Sequence, residues 1–398
     1  MAKYKPIKVQ AATLHQNGKR IENYIHVFDK RLRKYFKSFN FYAEYDRDLS
    51  NIPVSILNIP ALSSILHFAW TVGADVEMDE LDETYFNGMK RVKQIYENHP
   101  SYKFLSFDSV LKVDKTIKTS YKKQNRSALL FSGGLDSLAS YISRKPEQLI
   151  MIWGLDVPTT WTSFWNQVLE TYKHLPLTTI KSNTIEIYDQ NILRFLGSDC
   201  PAGYNAGYSF SLINFGLCPP ATVENVDNVM MASTFPIRQY GNPNYPFQNY
   251  KPHHLVDNHL GWANIETFDV ENDFNRPEKI ERFIKPYFEE HGLSTIRVCG
   301  NIELLESRED KSKLNCSKCD KCGKAIASLC NYGIDPNKCG FTLDSETFKL
   351  IKGEIIGNSF NVDRARYFWG ELKKHIDLKH DFYGSQAFLD WLKGYENI

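Results

Sequence analysis

Ala128-Leu129-Leu130-Phe131-Ser132-Gly133-Gly134-Leu135-Asp136-Ser137-Leu138-Ala139-Ser140-Tyr141-Ile142 is the stretch whose reading decides the fold. Four apolar residues, the length of a short buried strand, run into a Ser-Gly-Gly turn. Beyond it Leu135, Leu138, Ala139 and Ile142 repeat with the period of a helix. A strand feeding a glycine turn and then a helix N-terminus aims unpaired backbone N–H groups and the positive end of a helix dipole at one point. That is an anion cradle. The hydroxyls of Ser132 and Ser137, and the close backbone approach allowed by Gly133 and Gly134, suit a phosphate chain along the turn from Ser132 through Leu135 and Asp136 to Ser137. The stretch has no lysine, so it is not the G-x-x-x-x-G-K-[ST] loop of terminal phosphoryl transfer. A plain solvent-exposed Gly-Gly turn is the competing account, and the strand before and helix after weigh against it. Asp136, an acid inside an anion site, is explained if it holds Mg2+ or a loop N–H. A helix cap or first-turn carboxylate is the plainer role, and the two can coexist.

From Ala128 onward the pattern alternates. Leu149 to Trp153 reads as a second buried strand, Trp161 to Tyr172 as a helix and Asn228 to Ser233 as a further strand. This predicts an α/β fold with a doubly wound parallel sheet, its ligand at the carboxyl ends of the strands. Gly154, in Gly154-Leu155-Asp156 at the end of the second strand, stands where such folds place adenine or ribose; an ordinary strand-ending turn fits equally well. Before this domain, Lys8 to Leu14, Ile21 to Phe28 and Phe39 to Tyr45 read as strands, and Ile59 to Val72 and Tyr85 to Tyr96 as helices. Lys112 to Arg126 reads as a linker. The chain is thus divided into an N-terminal α+β module at 1–125, a nucleotide-binding domain at 126–298 and a C-terminal helical, metal-binding region at 299–398.

The 398 residues are 42% hydrophobic and 14% aromatic, enough for a large core. Lys plus Arg (48) nearly cancels Asp plus Glu (47), so no global field attracts nucleic acid or anionic lipid. By this reading no apolar run approaches the ~20 residues of a bilayer span, and no signal segment is evident, which places the expectation in the cytoplasm. The first 38 residues are locally basic, with ten Lys or Arg against Glu22 and Asp29, and Lys30 to Lys37 interleaves Tyr35 and Phe36. Such a stretch can track a nucleic-acid backbone. A solvated face is the favoured reading, and nucleic acid is not expected as a partner.

Cys316-Ser317-Lys318-Cys319-Asp320-Lys321-Cys322 gives three thiolates at two-residue spacing before a helical pattern. Cys299, at the end of the apolar stretch Thr295 to Cys299 that reads as a short strand, offers a fourth. Together they can close a tetrahedral structural zinc site. A disulfide framework suits neither the chain length nor the lysine-rich surroundings. A ferredoxin-type cluster wants another Cys three residues on, followed by Pro, whereas the next here is Cys330.

S-G-G-x-D-S is similar to the signature of PP-loop ATP pyrophosphatases, which split ATP between its α and β phosphates. Joined to the later Cys and C-x2-C-x2-C, it resembles QueC, the 7-cyano-7-deazaguanine synthase family, over roughly residues 126 to 335. The resemblance implies an ATP-dependent C–N ligase using ATP, Mg2+ and Zn2+. Such an enzyme adenylates a 7-carboxy-7-deazaguanine-type carboxylate and exchanges AMP for an amine. It also implies that Arg276, before a helix, lies near the phosphates beside catalytic Asp136 and Ser137. Asn205 could then read the polar edge of the base and Tyr204 or Tyr208 stack on its face, while an ordinary Gly-rich loop accounts for the stretch equally well. This chain departs from the family in having Tyr204 where an Arg is expected, a longer insertion between Cys299 and Cys316, ~125 residues before the loop and more than 60 after the cysteines. QueC-like proteins of bacterial antiviral defence operons carry similar elaborations, which implies an acceptor amine on a partner protein. A synthase using ammonia, a nucleotide-binding module without turnover and a tRNA thiolase are the alternatives.

Overall fold

The computed structural model describes residues 3–98, 106, 108–189, 192, 207–239, 254–300, 302–307, 311–357, 362–377 and 380–396. Strands β1 (Ile7–Val9), β2 (Thr13–His15), β3 (Arg20–Val27), β4 (Asn40–Tyr45), β5 (Val76–Asp82), β6 (Leu111–Ile117), β7 (Ser127–Leu130), β8 (Gln148–Trp153), β9 (Leu177–Ser182), β10 (Asn228–Ala232) and β11 (Glu266–Val270) form one sheet. Their order is β11-β10-β7-β8-β9-β4-β3-β1-β5-β6, with β2 attached to β3. The helices that matter below are α1 (Ile59–Val72), α2 (Glu83–Asn98), α3 (Leu135–Arg144), α4 (Thr162–Tyr172), α5 (Gly207–Leu217), α6 (Arg276–Lys279), α7 (Lys285–His291), α8 (Asp320–Asn331), α9 (Thr347–Ile356), α10 (Val362–Lys374) and α11 (Ser385–Gly394). The fold is α/β with a mostly parallel sheet and a cluster of four cysteines toward the C-terminus.

The five strands β11-β10-β7-β8-β9 are parallel throughout. The chain starts at β7, moves through β8 to β9, then crosses to β10 and β11 on the other side. Strand order therefore reverses between β7 and β10, and such a reversal opens a crevice at the carboxyl ends of the strands. Alternate residues of β7 and β8 feed two cores. Ala128, Leu130 and Ile150 join α1 and α5 on one face, while Leu129, Leu149 and Met151 join α3, α4 and the C-terminal helices on the other. Burial on both faces explains their nearly unbroken apolar sequence.

The sheet runs straight through the boundary expected at residue 125. β4 pairs antiparallel with β9, with Ala43 opposite Ser182, and Asn183 fastens the joint by accepting from Tyr42 N–H at 2.8 Å and donating to the Asn40 carbonyl at 2.9 Å. Ile7, Ile25 and Phe41 share one core with Ile180, Leu212 and Val229. The stretch expected as a linker, Lys112 to Arg126, begins with most of β6, whose alternation is faint because it is a largely exposed edge strand. Lys8 to Leu14 is two strands rather than one, and Thr295 to Cys299 is extended but unpaired as a strand.

α1 is buried nearly all round, as expected of a helix apolar on every side. With the short helix before it, residues Val54–Val72 are long and apolar enough to cross a membrane by length and composition, against the expectation that no such run exists. Here 94% of that window is buried inside the fold. Its contact with α5 is close: a Cβ on Gly216 would lie 2.2 Å from Ser63.

A fragment spanning 126–398 should therefore aggregate, because it exposes the edge of β9 and the apolar residues that α1 and β3 cover. Soluble yield and gel filtration of the fragment beside the full chain measure this, and a monodisperse fragment would contradict it.

Candidate functional site

The cradle forms where β7 ends. Gly133 has φ +79°, and a Cβ there would meet Tyr172 Oη at 2.4 Å, so glycine is required by both conformation and space. Gly134 is the N-cap of α3 in an extended conformation, leaving the N–H groups of Leu135, Asp136 and Ser137 without intrahelical acceptors. Ser132 Oγ lies 3.3 Å from Ser137 Oγ and accepts from Gly134 N–H at 3.3 Å; Ser137 Oγ donates to the Gly134 carbonyl at 3.1 Å. Both hydroxyls thus lie at the turn.

Asp136 is not a cap. It is a first-turn carboxylate bound by two cations: Arg276 Nη2 donates to Oδ2 at 2.6 Å, and Lys279 Nζ stands 3.6 Å from Oδ1. Lys279 is wholly buried and also donates to the Ser233 carbonyl. Burial by itself would raise the Asp136 pKa, but the charges of Arg276 and Lys279 outweigh it and hold the carboxyl below its ordinary value. Burial pushes the Lys279 ammonium down. Two cations thus face Asp136, whose buried Oδ1 has no hydrogen-bond partner. Arg276 opens α6 rather than preceding it. Asn275 caps that helix in a capping box with Glu278 and also donates to Glu371 Oε2 of α10 at 2.6 Å.

Arg297, which sequence spacing does not mark, lies on the other side of the loop. Its backbone N–H donates to the Gly133 carbonyl at 2.8 Å, and its side chain reaches the Ser132 carbonyl at 3.3 Å and Asp156 Oδ2 at 2.7 Å. The Nε–H groups of both Arg276 and Arg297 are buried without a hydrogen-bond partner. The loop, Asp136, Arg276, Arg297, Lys321, Lys324 and Phe368 line a cavity of about 240 Å³, floored by Leu130, Ile150, Ile152, Leu155 and Met231. It lies at the crevice that the strand order creates. Phe368 stacks under two cations, with Arg276 Cζ 4.7 Å and Lys324 Nζ 4.9 Å from its ring centre. Gly154 does not line this cavity; its φ of +101° and a Cβ position 1.8 Å from the Ser182 carbonyl explain the glycine, while its neighbours Leu155 and Asp156 reach the site. Tyr204 and Asn205 lie outside the described residues, as does the side chain of Tyr208.

Cys299, Cys316, Cys319 and Cys322 converge, their sulfurs all within 4.8 Å of one another. The separations 299–319 and 316–322 are 3.8 Å, and 319–322 is 3.5 Å. A tetrahedron with metal–sulfur bonds of ~2.3 Å has sulfur–sulfur edges of ~3.8 Å, so the donor set fits a metal ion such as zinc. Cys319 is the N-cap of α8 and Cys322 lies in its first turn, where the helix dipole favours thiolates. Mutual hydrogen bonds divide the protons among the four thiols, pushing Cys299 down and Cys319 and Cys322 up. Asn315 braces the cluster: its Oδ1 accepts from the N–H groups of Val298 (2.9 Å) and Cys299 (3.2 Å), and its Nδ2 donates to the carbonyls of Ile296 (2.7 Å) and Gly340 (3.0 Å).

No family model, curated protein or solved structure matches this chain.

Two outcomes are expected. Asp136→Asn should destabilise the fold by about 3–5 kcal/mol, because it leaves Arg276 and Lys279 uncompensated in the interior. Since the native pKa of Asp136 is depressed, its contribution is present above the unfolded value near pH 4 and is lost as pH falls through the native one. Urea titrations of both proteins at several pH values should therefore converge in acid. The purified chain should carry about one zinc, seen by metal analysis, and Cys319→Ser should lose both metal and thermal stability. Full zinc in Cys299→Ser would remove Cys299 from the ligand set.

Proposed function

We propose that the chain is a QueC-like, PP-loop-type enzyme that adenylates a carboxylate with ATP and passes the acyl group to an amine. The observation that carries this is the charge balance of the cavity. A serine-lined helix N-terminus faces Arg276 and Lys279, one carboxylate among the described residues pairs with those two cations, and two buried guanidinium N–H groups lack acceptors. A polyanion in the cavity would balance this excess positive charge and accept from the free N–H groups of the helix N-terminus. The apolar floor at the ends of β7, β8 and β10 suits an adenine ring, with Asp156 at its edge.

In this reading the phosphates of ATP lie on Ser132, Gly134 and Ser137, with Arg276 and Arg297 on either side. A carboxylate oxygen of the acyl substrate bonds to the α phosphorus as the bond to pyrophosphate breaks. Fixed N–H and guanidinium donors take up the charge on the departing group without reorganising. An amine nitrogen then bonds to the acyl carbon, the bond to AMP breaks and the amine proton leaves to solvent. The protein supplies orientation and electrostatics, not a covalent nucleophile. Asp136 serves in this reading to hold Arg276 and Lys279 in place. The four-cysteine cluster, read as structural zinc, supports the same wall of the cavity and belongs in a reducing compartment such as the cytoplasm. From the sequence resemblance, the acyl substrate is a 7-carboxy-7-deazaguanine-type carboxylate. The acceptor is an amine of a partner protein, because the half of the sheet fused beyond β9 offers docking surface that ammonia does not need.

Turnover with ATP and the acyl substrate should yield AMP and pyrophosphate, and ADP with phosphate as the main products would overturn the proposal. Ser137→Ala and Arg276→Ala should each lower pyrophosphate release by roughly a hundredfold, the loss typical of one transition-state donor. Mass spectrometry of co-expressed neighbouring proteins should find one carrying the acyl mass; efficient nitrile formation from ammonia alone would assign a synthase instead.

A further inference from the structure

The strands beyond β9 bury one face against α1 and leave much of the other exposed. On β3 the burial pattern alternates, with Ile21, Ile25 and Val27 in the core and Tyr24 and His26 on the outer face; Phe28 continues that row just past the strand. Successive outer positions on a strand stand ~7 Å apart, so these three rings form a line. Tyr24 meets His26 edge-on at 4.6 Å between centres, and His26 stacks nearly parallel with Phe28 at 5.7 Å. Tyr24, held within the sheet, is 43% exposed, and Phe28, just past the strand, 48%.

The Phe28 end of this line adjoins a basic rim. Asp29, almost buried, accepts from Lys5 N–H (3.2 Å) and binds the Arg31 guanidinium (2.6 Å), which fixes residues 3–5 beside 29–31. Arg31 lies over the Tyr4 ring at 4.3 Å. Lys3, Lys5, Lys30, Arg31 and Lys34 are exposed there; Lys3 pairs with Asp75 and Arg31 with Asp29, as Lys8 does with Asp79 on the sheet face, which among the described residues leaves Lys5, Lys30 and Lys34 as the rim's uncompensated charges. The charge pattern alone favours a solvated face, because nothing else in this stretch of sequence points to nucleic acid. The exposed aromatic line beside the rim adds a stacking surface to that charge.

We propose that the outer face of β3 binds single-stranded nucleic acid, with bases stacking on Tyr24, His26 and Phe28 and phosphates on the Lys3–Lys5 and Lys30–Lys34 rim. Stacking of bases on exposed sheet aromatics beside a basic track is tolerant of sequence. The occupant is an anion with flat apolar faces, the two properties that this surface complements.

The test is fluorescence anisotropy of a labelled 12-nucleotide oligo(U), and separately oligo(dT), with the full chain at low salt. Saturable binding with a dissociation constant between about 1 and 100 μM is expected. Tyr24→Ala/Phe28→Ala, exposed positions where the fold should survive as judged by circular dichroism, should weaken it at least tenfold, given a loss of about 5- to 150-fold per stacked base. Tyr24→Trp/Phe28→Trp should retain it. Lys30→Glu/Lys34→Glu should weaken it and flatten the salt dependence by about 0.7 log unit per log unit of salt for each phosphate contact removed. Absence of saturable binding, binding unchanged in the double alanine variant, or a protein bound through this face in place of the oligonucleotide would each overturn the proposal.

Discussion

An excess of buried positive charge organises the site. Arg276 and Lys279 share one carboxylate, Asp136, at the N-terminus of α3, whose dipole adds to the same sign. Isolated charges in a protein interior are costly, so a group of two cations and one anion persists only where its surroundings supply further acceptors. Lys279 has the Ser233 carbonyl, and Arg276 has the Phe368 ring. What remains is a cavity with net positive potential and orphaned donors. On the proposed function, an anion would fill this cavity. Arg297 adds no net charge, being paired with Asp156, but its donors are aimed at the loop from the opposite side.

The strap from Thr295 to Cys299 connects this site to the cysteine cluster. Within five residues it receives a hydrogen bond from Tyr172 Oη at 3.2 Å, donates to Gly133, carries Arg297 and ends on a cluster sulfur. Asn315 then ties the strap to the segment bearing the other three cysteines. An ion held by the four thiolates would therefore fix the position of a guanidinium two residues away. α8, whose first turn includes Cys322, also brings Lys324 to the cavity wall two residues later. The cluster acts as a joint between two walls of one cavity.

The continuous sheet gives the site a rigid frame. Strands β7, β8 and β10 are inner strands covered on both faces, and β9 beside them carries the antiparallel joint to β4, so the crevice at their ends is set by deeply buried backbone. The same joint explains α1. A helix apolar on every side is unstable alone in water, and it exists here because β3, β4 and α5 enclose it.

Much of this was legible in the chain itself. The apolar run into Ser132-Gly133-Gly134 and the helical period after it determine a strand, a turn and a helix N-terminus through local rules, since glycine's conformational freedom and the unpaired first-turn N–H groups need no distant partner. The spacing of Cys316, Cys319 and Cys322 determines a metal-ligand turn for the same reason. Arg297, Lys279, Lys324 and Asn315 were not legible as site residues, although the three-residue spacing of Arg276 and Lys279 on one helix face was a signal that could have paired them. Their roles depend on contacts between residues as much as 165 positions apart, such as Arg297 with Ser132. Nor could the sequence show that 1–125 and 126–298 share a sheet, because a strand as polar as β9 acquires its pairing with β4 from its neighbours rather than from its own pattern. The sequence by itself determined the chemistry of the loop and of the thiols. Only the tertiary structure decided which charges face them, because charge compensation in a buried site is a property of groups brought together from across the chain.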